Sequence, residues 1–323
     1  MTLDGRSKGS RIVVRHETGR RGPSGGPEMT DVIGHVRDVD DHQATLELRD
    51  GRLVTVDLTT IVSWRAVPDR PLRRRRAVAI GAEELTRITS RGWPAPDSAA
   101  LGDWELRAAG RFTGRANSVA AVGSPGIDPA AAVDRVRSFY EERSMPPLAQ
   151  VVVGSANERL FRDCGWVPLE GYRGGAVVQV ADLRSTYEAD ATARVSPRAD
   201  DVWLAGYGRV DDPVAARAVM EGPAHVGFVS IGSPTVAIGR VVVTGEWAGL
   251  AAVEVDPAAR RQGLARRIVA TSLAWAVDHG ADKAYLQTMR SNEAALALYA
   301  PYGFVDHHEY VYLRPDDTGA PQA

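Results

Sequence analysis

A short arginine-rich loop stands between an apolar run and a helical pattern, with the sequence RRQGLARR at residues 260–267. Arg260, Arg261 and Arg266 supply positive charge, and the unpaired N–H groups at a helix start also attract anions. Gly263 lets the backbone come close to a ligand, and Ala265 adds little bulk. These residue types in this order predict a cradle for a phosphate or pyrophosphate group.

The elements on either side place this loop at a helix N-terminus directly after a strand. Residues 249–255 (GLAAVEV) have the pattern of a buried strand, and Pro257 ends it because proline cannot donate to a ladder. From Leu264, apolar residues recur at helical spacing as far as Gly280. An ordinary strand-to-helix turn would have the same outline, and neither the Walker nor the G-x-G-x-x-G fingerprint is present.

A second patterned segment, NEAALALYAPYGF, occupies residues 292–304. Its characteristic positions are Asn292, Ala295, Leu298, Tyr299, Gly303 and Phe304. Together with Arg-x-x-Gly-x-Ala in the loop, this segment resembles the GNAT family, the GCN5-related N-acetyltransferases. The resemblance covers roughly residues 200–312. It implies an α/β fold with a mixed central sheet.

The resemblance implies acetyl-CoA as the donor, a primary amine as the acceptor, direct attack in a ternary complex, and no metal. It also implies that Tyr299 gives a proton to the departing thiolate, although a core position for Tyr299 and a helix-cap role for Asn292 remain open. The residues implied to bind the cofactor are Val253, Glu254, Val255, Arg260, Arg261, Gln262, Gly263, Leu264, Ala265, Arg266, Asn292 and Ala295.

The acceptor must lose a proton before it attacks, which for a lysine amine at pH 7 costs about 4.6 kcal/mol. Glu254, a carboxylate inside an apolar strand, is the first candidate for the base. A purely backbone contact at Glu254 is the alternative. Some family members have a glutamate on the next strand, where this chain has Gln287. Weaker candidates are Glu246, His307 and His308.

The chain outside this region suggests three further segments. Residues 1–70 alternate apolar and polar residues at period two, with Asp50-Gly51 as a hairpin signal, and predict a small all-β barrel of SH3 type. Residues 71–76 form an arginine-rich linker. Residues 77–185 loosely repeat the segment 186–323, which predicts tandem GNAT-like units.

The first repeat lacks the phosphate loop and has Phe161 where the second has Tyr299. It is therefore expected to bind no CoA productively. Its expected role is to complete the sheet and to form one wall of the acceptor site. Three of its polar residues, Arg107, Arg115 and Asn117, are candidates for contact with the acceptor, with structural hydrogen bonding as the alternative.

Composition narrows the function classes. The formal net charge of −2 in 323 residues argues against a bulk nucleic-acid binder, although Arg73–Arg76 keeps that reading open. One cysteine allows no intrachain disulfide, and no apolar run is long enough for a membrane span, so a cytoplasmic protein is expected. An acetyl-CoA-binding regulator with little turnover is the alternative to an enzyme. The acceptor classes open at this point are a protein lysine, a protein N-terminus and a small amine.

Overall fold

The computed structural model describes residues 3, 7–21, 26–48, 52–66, 76–171 and 174–316, and the chain forms two compact units, Met1–Arg74 and Arg75–Ala323. The first unit has five strands: β1 (Arg11–Arg21), β2 (Pro27–Val39), β3 (Gln43–Glu47), β4 (Leu53–Asp57) and β5 (Ile61–Ala66). They form one antiparallel sheet in the order β4-β3-β2-β1-β5.

Alternation of side chains explains the core of this first unit. Ile12 and Val14 of β1 are fully buried, as are Ala44 and Leu46 of β3. Residues two apart on a strand share a face, so each strand gives one row of apolar side chains to the core. The expected all-β domain is confirmed.

Three predictions for the first unit and the linker can be compared with the structure. The sequence TGRRGPSGGPEMT at residues 18–30 predicts a flexible loop, whereas residues 18–21 and 27–30 are strand, since β1 runs to Arg21 and β2 begins at Pro27. The predicted Asp50-Gly51 hairpin and residues 71–75 of the linker lie outside the described residues.

The second unit is a mixed α/β structure. Its helices are α1 (Ala82–Arg91), α2 (Pro129–Glu141), α3 (Ala156–Asp163), α4 (Asp201–Tyr207), α5 (Pro213–Met220), α6 (Leu264–Asp278) and α7 (Glu293–Tyr299). Its strands are β6 (Asp97–Leu101), β7 (Trp104–Ala108), β8 (Val119–Ala120), β9 (Ala149–Val152), β10 (Trp166–Pro168), β11 (Gly175–Asp182), β12 (Arg194–Ser196), β13 (Val226–Ile231), β14 (Ala237–Thr244), β15 (Trp247–Val255), β16 (Lys283–Thr288) and β17 (Val305–Pro315).

All twelve strands join one sheet in the order β12-β13-β14-β15-β16-β11-β17-β9-β8-β7-β6, and β10 also pairs with β17. The pairs β15–β16 and β8–β9 are parallel, and the other pairs are antiparallel. The mixed sheet expected from the sequence is therefore present.

The two repeats exchange strands at the middle of this sheet. β11, from the first repeat, lies between β16 and β17, where Val178 pairs with Gln287 on one side and His308 on the other. The end of β17 lies in turn between β9 and β10, where Leu313 opposes both Ala149 and Pro168. Each repeat is thus completed by a strand of the other, within a single compact unit.

Helices cover both faces of the sheet around β13–β15. α6 packs on one face against alternate residues that include Val229 and Ala237. α4 and α5 pack on the opposite face against Phe228 and Ile238. Because neighbouring strand residues point to opposite faces, these two clusters define an α6 face and an α4 face. Among the described helices, none is both long and apolar enough to cross a membrane.

Candidate active site

The strand before the arginine loop separates from its neighbour half-way along its length. β15 pairs with β16 from Trp247 to Leu250 only, although it continues to Val255. A bulge interrupts its pairing with β14 opposite Gly239, and Ala252 there has a positive φ of 54°. Bulges bend and twist a strand, so this one opens the sheet between β15 and β16.

The edge of β15 that faces this opening has no partner strand beyond Leu250. The Asp256 N–H donates to the Val236 carbonyl at 2.8 Å, on the β14 side. Successive residues of a strand direct their N–H and C=O groups to alternate sides, so the groups of Val253 and Val255 face the opening. The Val255 carbonyl accepts from Arg260 Nε at 3.3 Å.

The arginine loop has the backbone that an anion cradle needs. Arg261 and Gly263 both have left-handed φ values, 65° and 76°, and α6 begins directly after Gly263. No side chain caps this 15-residue helix, and the first N–H that bonds within it is that of Arg267. Several N–H groups therefore point out of the helix end toward the loop, as in backbone nests that bind phosphate.

Tyr299 lies at the end of α7, where its side chain is only 6% exposed. The Asn292 carboxamide caps this helix by accepting from the Ala295 N–H at 3.1 Å. Burial first, and then the nearby Glu254 carboxylate, raise the pKa of Tyr299 well above its ordinary value. The Tyr299 hydroxyl therefore stays protonated at neutral pH and can donate a hydrogen bond or a proton.

One cleft of about 870 Å³ brings these features together. It runs through the opening between β15 and β16, with the arginine loop and α7 along one side. Gln262 is exposed and lies outside the cleft wall, whereas the other predicted binding and catalytic residues line it: Val253, Glu254, Val255, Arg260, Arg261, Gly263, Leu264, Ala265, Arg266, Asn292, Ala295 and Tyr299.

Glu254 lines this cleft with its side chain in an ion pair. Its Oε1 accepts from Arg209 Nη2 at 2.7 Å, and the Glu254 side chain is one-third exposed, at 33%. Arg209 follows Gly208, the left-handed residue that ends α4. Arg209 was not among the predicted site residues, because nothing in its local sequence marks it as the partner of a residue on β15.

The other base candidates lie away from the cleft. Glu246 pairs with Lys283 Nζ at 2.7 Å, at the opposite end of β15 from Val255. His307 and His308 contact each other through their Nδ1 atoms at 2.7 Å, and His307 Nε2 contacts the Ile80 carbonyl. Neither histidine lines the cleft, so these three side chains are poorly placed to take a proton from an acceptor there.

Only one of the three polar candidates from the first repeat reaches the cleft. Arg115 lines it, donates from Nη1 to Gln287 Oε1 at 3.1 Å, and lies 4.2 Å from the Trp93 ring centroid. Arg107 is fully buried among hydrogen bonds to Ser118, Ser90 and Gln150. Asn117 bonds only to backbone groups of its own loop among the described residues.

The corresponding opening in the first repeat is filled. Asn157, the counterpart of Asn292, donates to the carbonyls of Ala121 and Gly123 at 3.0 Å each and is buried. Phe161 is fully buried between Trp104 and Trp166. Side chains therefore occupy the position that an extended ligand would need next to β8.

Comparison with known proteins agrees with this geometry. The family model described as Probable histone acetyltransferase Rv0428c C-terminal matches residues 82–313, and that of the Rv0428c N-terminal Sm-like domain matches residues 6–65. The chain belongs to this acetyltransferase family. It is a GNAT-type N-acetyltransferase, as the second half of the sequence suggested. Its first unit is described as Sm-like, whereas the sequence analysis expected an SH3-like barrel.

The chain is also similar to individual proteins. The chain is 24% identical over 247 residues to the Uncharacterized N-acetyltransferase YobR of Bacillus subtilis, covering 70% of this chain and 96% of that protein. A solved GCN5-related N-acetyltransferase from Kribbella flavida shares the fold, with a TM-score of 0.55, 18% identity, and coverage of 73% of this chain and 95% of its own. A solved tandem GNAT protein from the clavulanic acid biosynthesis pathway has a TM-score of 0.50 and 14% identity, covering 74% and 88%.

Proposed function

We propose that this acetyltransferase moves the acetyl group of acetyl-CoA to a primary amine by direct attack in a ternary complex. The observation that carries the proposal is the cleft that joins the opened β15 edge, the arginine loop and the Tyr299 hydroxyl. A pyrophosphate needs convergent N–H donors, a peptide-like arm needs a free strand edge, and a leaving thiolate needs a donor. All three requirements are met by residues of one cavity.

Acetyl-CoA fits the groups that line the cleft. The N–H groups at the start of α6, with Arg260 and Arg266, would hold the pyrophosphate. The backbone of Val253 and Val255 would pair with the amides of the pantetheine arm. The Val255 N–H would also stabilise negative charge on the thioester oxygen during attack. Acetyl-CoA supplies the activated carbonyl carbon.

Proton movements in this scheme fall to Glu254 and Tyr299. The acceptor ammonium first loses a proton to Glu254, directly or through water, and the Arg209 ion pair orients the Glu254 carboxylate. The amine nitrogen then bonds to the carbonyl carbon as the carbon–sulfur bond breaks, and the nitrogen loses its second proton to solvent, giving an amide and the CoA thiolate. A tyrosine is at least about 2 kcal/mol less acidic than a thiol. Tyr299 therefore serves mainly by hydrogen bonding to that thiolate.

The alternative of a cofactor-binding regulator with little turnover makes a different prediction. A regulator needs the arginine loop but has no use for a protonated tyrosine and a carboxylate in the same cleft. Thiol release from acetyl-CoA in the presence of a panel of amines tests the choice. Release that depends on an added amine supports the enzyme, and binding of acetyl-CoA without release from any amine supports the regulator.

A further inference from the structure

The cleft has two ends that lie on opposite faces of the sheet. The arginine loop and Tyr299 belong to the α6 face, since Leu264 and Tyr299 join the core cluster there. Arg115 and Arg209 lie at the other end, with Ala251, which packs on the α4 face. With the donor bound at the first end, the acceptor approaches the thioester from the second. We call this second end the acceptor end.

Positive charge exceeds negative charge at the acceptor end. Arg209 already neutralises Glu254 through their 2.7 Å contact. Arg115 is held instead by a neutral amide, that of Gln287, and by the ring of Trp93. Within the part of the chain that the structure describes, no carboxylate pairs with Arg115.

A third arginine lies directly behind this end. Arg240 is fully buried, with its guanidinium 4.8 Å from the Trp93 centroid, and it donates to the carbonyls of Met220 and Gly92. Burial lowers the pKa of Arg240 to about 10, so it remains a cation at neutral pH. Its described hydrogen-bond partners are uncharged, and its charge adds to that of Arg115 across the shared indole.

The wall behind Arg115 is closed rather than open to solvent. Tyr285 is buried, and its hydroxyl lies so close to two glycines that an added Cβ would be 2.0 Å away at Gly92 and 2.4 Å away at Gly249. A group that enters next to Arg115 therefore meets the end of the recess. The cavity enclosed there, which Arg115, Gln287 and Tyr285 line, has a volume of about 10 Å³, so almost no space remains for a long substituent on this side.

We infer that the acceptor is a small amine that also carries a carboxylate, with the carboxylate bound by Arg115. This inference rests on the proposed acetyl transfer and names its acceptor class. A guanidinium presents two parallel donors that match a carboxylate, and that charge-assisted pair would offset the positive charge of the acceptor end. A lysine-rich peptide would instead bring further ammonium groups toward Arg115 and Arg240, where like charges repel.

Gln287 offers a sharp test because its conversion to glutamate changes one atom. Gln287→Glu places a carboxylate next to Arg115 and supplies the missing partner from within the protein. Arg115→Gln removes the charge itself. Arg111→Gln, an exposed arginine of the same loop that does not line the cleft, serves as the matched control.

The experiment measures kcat/KM for CoA release by the full chain, with free amino acids, the corresponding amino-acid amides and a lysine-rich peptide as acceptors. The amide keeps the amine and removes the carboxylate. Its amine is less basic, so a larger fraction of it is deprotonated at neutral pH. We expect amino acids to be preferred, and both Arg115→Gln and Gln287→Glu to lower kcat/KM for them by about 30-fold. Activity on the amides should change by less than about 3-fold, and Arg111→Gln should behave as wild type.

Three results would overturn this inference: preference for the lysine-rich peptide or the amides, equal losses on acids and amides, or turnover of no carboxylate-bearing amine. Calorimetric titration with acetyl-CoA separates these results from failure of the proposed function. A chain that binds acetyl-CoA but prefers another acceptor contradicts the acceptor class alone. A chain that does not bind acetyl-CoA contradicts the proposed function itself.

Discussion

Arg115 and Gln287 meet at 3.1 Å although 172 positions separate them in the chain. Arg115 belongs to the first repeat and Gln287 to β16 of the second. The first repeat has its own opening filled by Asn157, yet it contributes a cation to the cleft of the other. The first repeat thus helps to line the cleft of the second repeat.

Tyr299→Phe should leave acetyl-CoA affinity within a few-fold and lower kcat by about 100-fold, because the hydroxyl interacts only with the leaving thiolate. Stability should change little, since the hydroxyl makes no hydrogen bond among the described residues. Steady-state kinetics measures kcat, calorimetry measures the affinity for acetyl-CoA, and thermal unfolding measures the stability. Full activity in the variant would make Tyr299 a packing residue.

Glu254→Gln should lower kcat by about 100-fold near neutral pH if Glu254 accepts the proton of the acceptor. The loss should shrink at about pH 9, where more of the amine is already deprotonated. Arg209→Gln is the matched variant, because it keeps the carboxylate and removes its partner, and its loss should be smaller. A deficit in Glu254→Gln that is the same at both pH values would argue for a structural contact.

Acetyl-CoA should bind with a stoichiometry of one per chain, even though the sequence pattern predicts two GNAT-like units. Asn157 and Phe161 occupy the opening next to β8 in the first repeat. Asn157→Ala should cost about 1–3 kcal/mol of stability, since the buried Ala121 carbonyl loses the Asn157 donor. Calorimetry measures the stoichiometry, and urea unfolding measures the change in stability. A second binding event in the wild type would show that the first repeat is also a donor site.

Stability should fall as the pH drops from about 6.5 to about 4. Burial first, and then the neighbouring His307, lower the pKa of His308 to about 4. The unfolded chain takes up that proton near pH 6.5, so stability present above this value is lost toward pH 4, by at most about 3 kcal/mol. His308→Gln should flatten the loss in urea unfolding at the two pH values. If the free energy of unfolding falls by the same amount in His308→Gln as in the wild type, another group is responsible for the loss.

Local patterns predicted the loop and the short helix that line the cleft. Gly263 fits because the loop needs a left-handed residue before α6, and the spacing from Asn292 to Tyr299 is that of one short capped helix. Both depend on residues close together in the chain, so their physical requirements are visible in the sequence.

Long-range pairing was beyond such reasoning. Arg107 and Arg115 have similar sequence surroundings, yet one is buried in a hydrogen-bond network and the other lines the cleft. The exchange of β11 and β17 between repeats, and the Arg209–Glu254 pair, depend on how distant segments pack. No local periodicity encodes those choices.

The most direct test of the donor site is calorimetric titration of the full chain with acetyl-CoA, in the wild type and two variants of Gly263. Gly263→Ala keeps the loop neutral and costs about 1 kcal/mol of backbone strain at its left-handed φ. Gly263→Glu adds a negative charge beside the predicted pyrophosphate position. We expect clear binding to the wild type, binding within about tenfold in Gly263→Ala, and none in Gly263→Glu. Equal binding to all three proteins would contradict a pyrophosphate cradle at the start of α6.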